Sequence, residues 1–584
     1  MASTESADVA ERHDPALEPT RKAPIDPVVF GVAAVVSVAV LIYGAVAAES
    51  FNKTGTAALT WITTNFSWLF VLASAFFVLF SAVLACTRYG NIKLGLDDSK
   101  PEFSTFSWVS MMFATGMGIG LMFWGVAEPL THLNTPPMGM TQPATEAAAH
   151  SAMEYTFFHW GFHPWAMYAV IGLTIAYFAY RKGNGNLISG TLVPLIGRRA
   201  SRGPAGKTID TVALLATLFG SATSLGLGAL QITGGLAHVF GIDTGGNTTL
   251  AVLVIAVLTV CFVLSAVSGI ERGIQWLSNA NAIAAAVLVL FLFVVGPTVF
   301  ILGLFTESLG GYLTHLPAMS FRIGSLGGAD WLSAWTIFYW AWWISWTPFV
   351  GMFIARISKG RTIRQFVVFV IVIPSLVSFV WFSILGGAAF DLQLNKGVDM
   401  AGRLEEGVEA ALFNTLSDFP LATVTVALAI FLVAIFFITG ADSASIVMGM
   451  LSQNGEEEPK RWLIVFWGVA TGAVAAVLLL SGGDKPSAGL SALQTGVIII
   501  ATPFLLILIA MCVSLWKSLR REPFNSTLQP TLRRHMAQHI EEVVEQANTG
   551  SIPIASEHRD FGGRGLPGLP HRRRRGTERP EDDQ

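Results

Sequence analysis

Charge is what this chain has least of. Only 13% of its 584 residues are Asp, Glu, Lys or Arg, against about 25% in an ordinary soluble domain, which excludes a solvated globular protein. Hydrophobic residues make up 53% and the mean hydropathy is +0.58, so the chain reads as a polytopic membrane protein. Cysteine is scarce: Cys86, Cys261 and Cys512 lie far apart, each in an apolar run. Neither a disulfide framework nor a metal site built on cysteine is expected. There is no HExxH, no nucleophile elbow, no pair of catalytic carboxylates and no cofactor fingerprint, so an enzyme has no support and no organic cofactor is expected. No nucleic-acid partner is expected either. A cleavable signal is not apparent, because the first apolar run, from Val28, is already about membrane length.

Long hydrophobic runs are what the chain does have. Twelve are visible, at 28–48, 60–86, 105–130, 149–180, 209–236, 247–267, 279–305, 331–357, 365–390, 420–451, 462–480 and 490–516. Basic residues gather in the loops after even-numbered runs, as in Arg88–Lys100, Arg181–Lys207, Arg356–Arg364 and Lys460–Arg461. The loops after odd-numbered runs hold few. By the positive-inside rule both termini are cytoplasmic, and the expectation is an all-α, multi-pass protein of the plasma (inner) membrane. Residues 1–27 form an acidic, disordered cytoplasmic tail, and 517–584 a cytoplasmic, partly helical tail ending in Arg572–Arg575. Two amphipathic connectors stand out, Gly269–Asn279 and Thr306–Phe321, the second within an outer connector at 307–330.

The eighth run holds Tyr339–Phe349, with Trp340, Trp342, Trp343 and Trp346 in seven residues, and then Pro348. Tryptophan usually collects at the two headgroup levels, yet this cluster sits near the middle of its run. Indoles in the bilayer interior suit a quaternary ammonium group. The fourth run adds Trp160, Trp165 and Tyr168, with Pro164 expected to distort the turn and bring the rings together. No fixed carboxylate is needed for a zwitterion that carries its own. Glycine- or proline-interrupted runs at matching places in two halves point to a carrier's binding site. Gly116, Met117, Gly118 and Gly120 interrupt the third run, and Ser345–Pro348 is expected to break the eighth.

Four motifs together resemble the betaine/choline/carnitine transporter family: TGMGIGLMFWGVAEP (115–129), HWGFHPWAMY (159–168), YWAWWISWTPFVGMFIARISKGRTIR (339–364) and FFITGADSAS (436–445). The resemblance covers about 28–516. It implies a LeuT-like 5+5 inverted repeat, with two leading helices in 28–104, repeat 1 in 105–306 and repeat 2 in 331–516. It also implies a homotrimer and an aromatic box for trimethylammonium substrates. By position Trp160, Trp165, Tyr168 and Trp343 resemble the box, Trp342 and Trp346 line the same pathway, and Trp340 is nearby. Betaine carriers of the family have glycine at the place of Gly120, where choline carriers place aspartate. The resemblance therefore implies import of glycine betaine or a similar compatible solute, and a buried carboxylate there would repel the betaine carboxylate.

In sodium-coupled members one ion is held by carbonyls matching Ala114, Met117 and Phe436 and by hydroxyls matching Thr439 and its successor, which is Gly440 here. A second site resembles Thr217, Ser221 and Phe349. Sodium symport is the reading, with proton-coupled uptake of choline or betaine the alternative. The bland reading of the Thr217 and Ser221 hydroxyls is that they merely bond back along their own helix. Glu128, Glu154 and Asp442 are acids in or near spans; Glu128 precedes Pro129, which suggests a structural role at a helix end. Attraction of the Arg-rich tail to the acidic one, or to anionic lipid, would permit osmotic regulation. An ion channel would need a filter, and the sequence offers an aromatic, occlusion-prone centre instead.

Overall fold

Asp26 starts the membrane region. Its carboxylate accepts the N–H groups of Val28 and Val29 at 2.9 and 3.1 Å, and Pro27 takes the first helical position, where a missing N–H costs nothing. The computed structural model describes residues 23–522 except 117, 242–247, 269–270 and 484–485; for 113–116, 266–268, 271–278, 406 and 486–487 it describes the backbone alone. Among the described residues the regular structure is helical, with one isolated bridge between Lys93 and Thr362.

The principal helices are α1 (Pro27–Val46), α2 (Ala48–Cys86), α3 (Thr105–Gly116), α4 (Ile119–Asn134), α5 (Glu146–Trp160), α6 (Phe162–Ala176), α7 (Pro204–Phe240), α8 (Thr249–Ser268), α9 (Glu271–Val295), α10 (Thr298–Ser320), α11 (Phe338–Ile357), α12 (Ile363–Leu394), α13 (Ala422–Ser452), α14 (Arg461–Ser481) and α15 (Pro486–Leu519). Among the described residues each apolar run seen in the sequence is mainly helical, with interruptions in three of them. Among the described residues nine helical stretches are long and apolar enough to cross a membrane. The protein is thus an all-helical, multi-pass membrane protein.

Helices α5, α6 and α7 are the most enclosed, and α11 packs chiefly against α6, α7 and α15. The outer helices carry exposed aliphatic faces, including Val35 and Val46 on α1, Leu264 on α8, and Ile283 and Val294 on α9. Such faces suit lipid, where apolar exposure carries no penalty. Loops after even-numbered runs meet one another. The Gly360 N–H donates to the Leu94 carbonyl at 2.7 Å and the Leu94 N–H to the Arg361 carbonyl at 2.8 Å, Arg181 donates to the Gly95 carbonyl and to Asp97 at 2.9 Å, and Lys207 pairs with Asp26 at 3.3 Å. Loops after odd-numbered runs meet likewise, as where Asn134 and Gln393 bond reciprocally.

Four sequence expectations need correction. The eighth run is not broken: α11 passes through Pro348. Proline leaves the Ile344 carbonyl without its helical N–H, and the Thr347 hydroxyl donates to that oxygen at 2.7 Å, repairing the ladder locally. The irregularity lies about three turns earlier, in a π-helical turn at Ser333–Ile337. The fourth run breaks at Gly161 and not at Pro164, which is the third residue of α6, where a proline is tolerated. The seventh run ends at Val295, because Gly296 and Pro297 stop it, and Thr298–Ser320 is a separate continuous helix with no boundary at Thr306. Glu128 is not at a helix end either, since α4 continues through Pro129 to Asn134. Of the connector at Gly269–Asn279, residues from Glu271 belong to α9, while 269–270 lie outside the described residues. Most of both tails (1–22 and 523–584, with Arg572–Arg575) also lies outside them.

Candidate functional site

Two interrupted helices frame the site. The third run is helical over Thr105–Gly116 and again from Ile119, and Gly118 between them lies outside helical geometry (φ −155°, ψ −128°), so the run is interrupted at Gly118. The fourth stops at Trp160 and restarts at Phe162. At Gly161 a side chain has no room, because a Cβ would lie 2.5 Å from the Phe157 carbonyl and 2.8 Å from the Phe379 ring. A helix end leaves its last carbonyls without intrahelical donors, and the Trp343 indole N–H fills one of them, donating to the His159 carbonyl at 3.0 Å.

The sequence-derived rings converge here. Trp160 and Trp343 meet edge to face at 4.9 Å between centroids, Trp342 stacks on Trp343 at 4.8 Å, and Trp160 faces Trp342 at 6.2 Å. Tyr168 meets Trp343 at 6.3 Å and Trp165 at 5.5 Å. All five are buried. The Tyr168 hydroxyl has no hydrogen-bond partner among the described residues. Trp346 continues the row, 6.4 Å from Trp342 and 5.7 Å from Phe349. Trp340 does not join it. Its ring stacks on His163 at 5.2 Å and abuts Phe158 at 5.1 Å, because successive positions on one helix point about 100° apart.

Gly120 is where α4 meets this cluster. A Cβ there would stand 2.9 Å from Cη2 of both Trp160 and Trp342, far inside ordinary contact. The indole N–H groups fix the rings to neighbouring helices: Trp342 donates to the Ser224 hydroxyl at 3.2 Å and Trp346 to the Gly220 carbonyl at 2.9 Å, both on α7. Trp160 donates to Glu128 at 2.7 Å.

Glu128 is the residue that sequence reasoning undervalued. Its fully buried carboxylate accepts from Trp160 and from the Tyr339 hydroxyl on one oxygen, and meets His159 Nδ1 at 2.7 Å on the other. His132 Nε2 is 3.5 Å away. Donor atoms of Glu128, His132 and His159 all lie within 4.8 Å of one another. The available signal was spacing: Glu128 and His132 are i, i+4 on one helix face.

The ion-site candidates are only partly described. Met117 lies outside the described residues, and the side chains of Ala114 and Gly116 are not described. Gly118 and Phe436 come together, since a Cβ on Gly118 would lie 3.8 Å from the ring. The Thr439 and Thr217 hydroxyls each donate to the carbonyl four residues back, at 2.9 Å. Among the described residues, and apart from its own helix backbone, nothing comes within 4 Å of a Cβ built on Gly440. Ser221 and Phe349 are buried. Phe349 also lines a cavity of about 170 Å³ between α11 and α13, together with Tyr180, Met352, Arg356, Ser443 and Glu457. Arg356 lies 4.0 Å from Glu457, which accepts from Asn186 at 3.1 Å.

Compared with known protein families, residues 28–524 match the family described as BCCT, betaine/carnitine/choline family transporter. The chain belongs to this family. Members of the BCCT family are transporters and not enzymes. Among its relatives, the glycine betaine transporter OpuD of Bacillus subtilis is 46% identical over 497 residues, covering 85% of this chain and 94% of that protein. A probable glycine betaine transporter of Desulfitobacterium hafniense is 48% identical over 461 residues, 79% of this chain and 91% of that protein. The betaine/ectoine transporter LcoP of Corynebacterium glutamicum is 40% identical over 501 residues, 85% of this chain and 78% of that protein.

Proposed function

We propose that this BCCT transporter imports glycine betaine or a related trimethylammonium compatible solute by sodium symport, through alternating access. The observation that carries the reading is the packing at Gly120: the α4 backbone lies directly against Trp160 and Trp342, leaving no space for a side chain. A site closed by indole faces with no acid at that position suits a zwitterion better than choline. The names of the relatives support the same substrate class. Tyr168, whose buried hydroxyl has no partner among the described residues, is suited to donate to a ligand oxygen.

Trp160, Trp165, Tyr168 and Trp343 form the box in this reading, with Gly116, Met117, Gly118 and Gly120 as the backbone side. Trp342, Trp346 and Phe349 lead from it to the cavity above Arg356, which serves as the inner vestibule. Sodium is cargo here. Thr439 and Thr217 spend their hydroxyl protons on their own helix, which leaves oxygen lone pairs for a hard cation. The open space at Gly440 accommodates a water in place of the missing hydroxyl. The architecture we propose is twelve spans in a 5+5 inverted repeat behind two leading helices, with both termini cytoplasmic, assembled as a homotrimer. The Arg-rich tail would meet anionic lipid and respond to osmotic stress.

The alternative is a proton-coupled choline or betaine symporter, favoured by the buried Glu128–His159 contact, which is a ready proton acceptor. Full-length protein in liposomes, given labelled glycine betaine under an imposed sodium or proton gradient, decides between them. Accumulation driven by sodium supports the proposal. Accumulation driven by protons alone, or equal uptake of choline and betaine, overturns it.

A further inference from the structure

Trp160 spans the distance between a buried acid and the ring cluster. Its indole N–H donates to Glu128 Oε2 at 2.7 Å. Its opposite edge, at Cη2 and Cζ3, faces Gly120, and it meets Trp343 edge to face at 4.9 Å. Tyr339 repeats the arrangement. Its hydroxyl donates to the same carboxylate oxygen, and its ring stacks on Trp343 at 5.9 Å. Two aromatic donors share one oxygen and His159 Nδ1 sits at the other; with the His159 proton on Nδ1, all three contacts suit an ionised carboxylate. His159 in turn is held by Thr336 at 3.0 Å.

An anion enclosed in this way is costly to bury unless its lone pairs are met, and these are. What remains is its field. A donor bonded to a charged acceptor is polarised through the bond, so electron density moves toward the far side of the indole and strengthens the negative face that attracts a cation. Resting on the proposed betaine reading, we propose that Glu128 is a positioning residue of the cation site. It fixes Trp160 and Tyr339 by their polar edges and enriches the ring faces that receive the ammonium head. The negative charge required for a quaternary ammonium thus stands one ring behind the box, out of reach of the substrate carboxylate. This solves the problem that Gly120 poses: charge complementarity for the cation without an acid that would repel a zwitterion.

The test uses full-length protein in liposomes and two ligands of one shape. These are glycine betaine and its uncharged-head isostere 3,3-dimethylbutanoate, which carries a tert-butyl group in place of trimethylammonium. In Glu128→Gln the amide oxygen still accepts from Trp160, but the charge is gone. The KM for betaine should rise about tenfold, which corresponds to ~1.4 kcal/mol, while the Ki of the isostere stays within about twofold. Equal weakening of both ligands overturns the proposal, because a merely structural acid would affect shape and not charge. Should Glu128→Gln fail to fold, Tyr339→Phe gives the opposite sign. It removes one donor, strengthens the remaining Trp160 bond and should widen the preference for betaine over the isostere; a narrowed preference overturns the proposal. A wild-type protein that does not distinguish the two ligands overturns both this proposal and the betaine reading. Failure in the variant alone leaves the betaine reading standing.

Discussion

Substituting Gly120 by alanine tests the packing on which the functional reading depends. A methyl group there would meet Cη2 of Trp160 and of Trp342 at 2.9 Å, whereas carbon atoms settle at about 3.5–4.0 Å. Each ring would have to withdraw by more than half an ångström. Neither is free to do so, since Trp160 is held by Glu128 and Trp342 by Ser224. Extra methyl groups in well-packed interiors cost roughly 1–3 kcal/mol. Placed on the box, that cost raises the KM for betaine about 5- to 150-fold, since each 1.4 kcal/mol is tenfold. The assay is initial-rate uptake of labelled betaine by full-length protein in liposomes, alongside thermal unfolding in detergent. Gly31→Ala is the control. Nothing lies within 4 Å of a Cβ at that position on α1, so KM should not move, and stability should hold or rise by up to ~1 kcal/mol from helix propensity. A Gly120→Ala protein with wild-type melting and a KM within twofold of wild type would refute the argument.

Three further outcomes are expected. Thr347→Val removes the hydroxyl that serves the Ile344 carbonyl opposite Pro348; it should cost ~1–2 kcal/mol in detergent unfolding, and Thr347→Ser should restore most of it. Glu409, half-buried in the loop before α13, has its carboxyl pushed above the ordinary 4.5 by burial. A raised acid weakens the fold once pH exceeds its unfolded value, so Glu409→Gln should melt higher than wild type at pH 7, with the gap closing as pH falls below about 4.5. Thr439→Val should raise the sodium concentration needed for half-maximal uptake while Thr439→Ser leaves it near wild type. An unchanged sodium dependence in Thr439→Val would remove that residue from the ion path.

The apolar runs were legible because length and composition alone specify a span, and among the described residues each is mainly helical. Where helices break was less legible. The glycine-rich stretch does interrupt its run, at Gly118, whose backbone is not helical, since closely spaced glycines leave a helix little side-chain support. Pro348 misled, because a proline's effect depends on whether a neighbouring hydroxyl serves the freed carbonyl, and Thr347 does. Pro164 misled for another reason: it sits in the first turn of α6, after a break made at Gly161 by the approach of Phe379. That approach comes from a helix more than two hundred residues away in sequence, and no local pattern encodes it. The ring cluster was foreseen from Trp160, Trp165, Tyr168 and Trp343. Trp340, read as near the pathway, turns by helical phase to His163 and Phe158 instead of joining the row. Glu128 was passed over as a helix-end residue, since its partners Trp160 and Tyr339 are distant in the chain.

The uninterrupted α11 has a mechanical consequence. The two glycine interruptions, at Gly118 before α4 and at Gly161 between α5 and α6, belong to helices that bring Gly120 and Trp160 to the ring cluster, while α11 runs through its own part of the cluster unbroken. Bending during a transport cycle is then lopsided: one half of the pair flexes at its joints, and the other tilts as a lever that carries Trp342, Trp343 and Trp346 together.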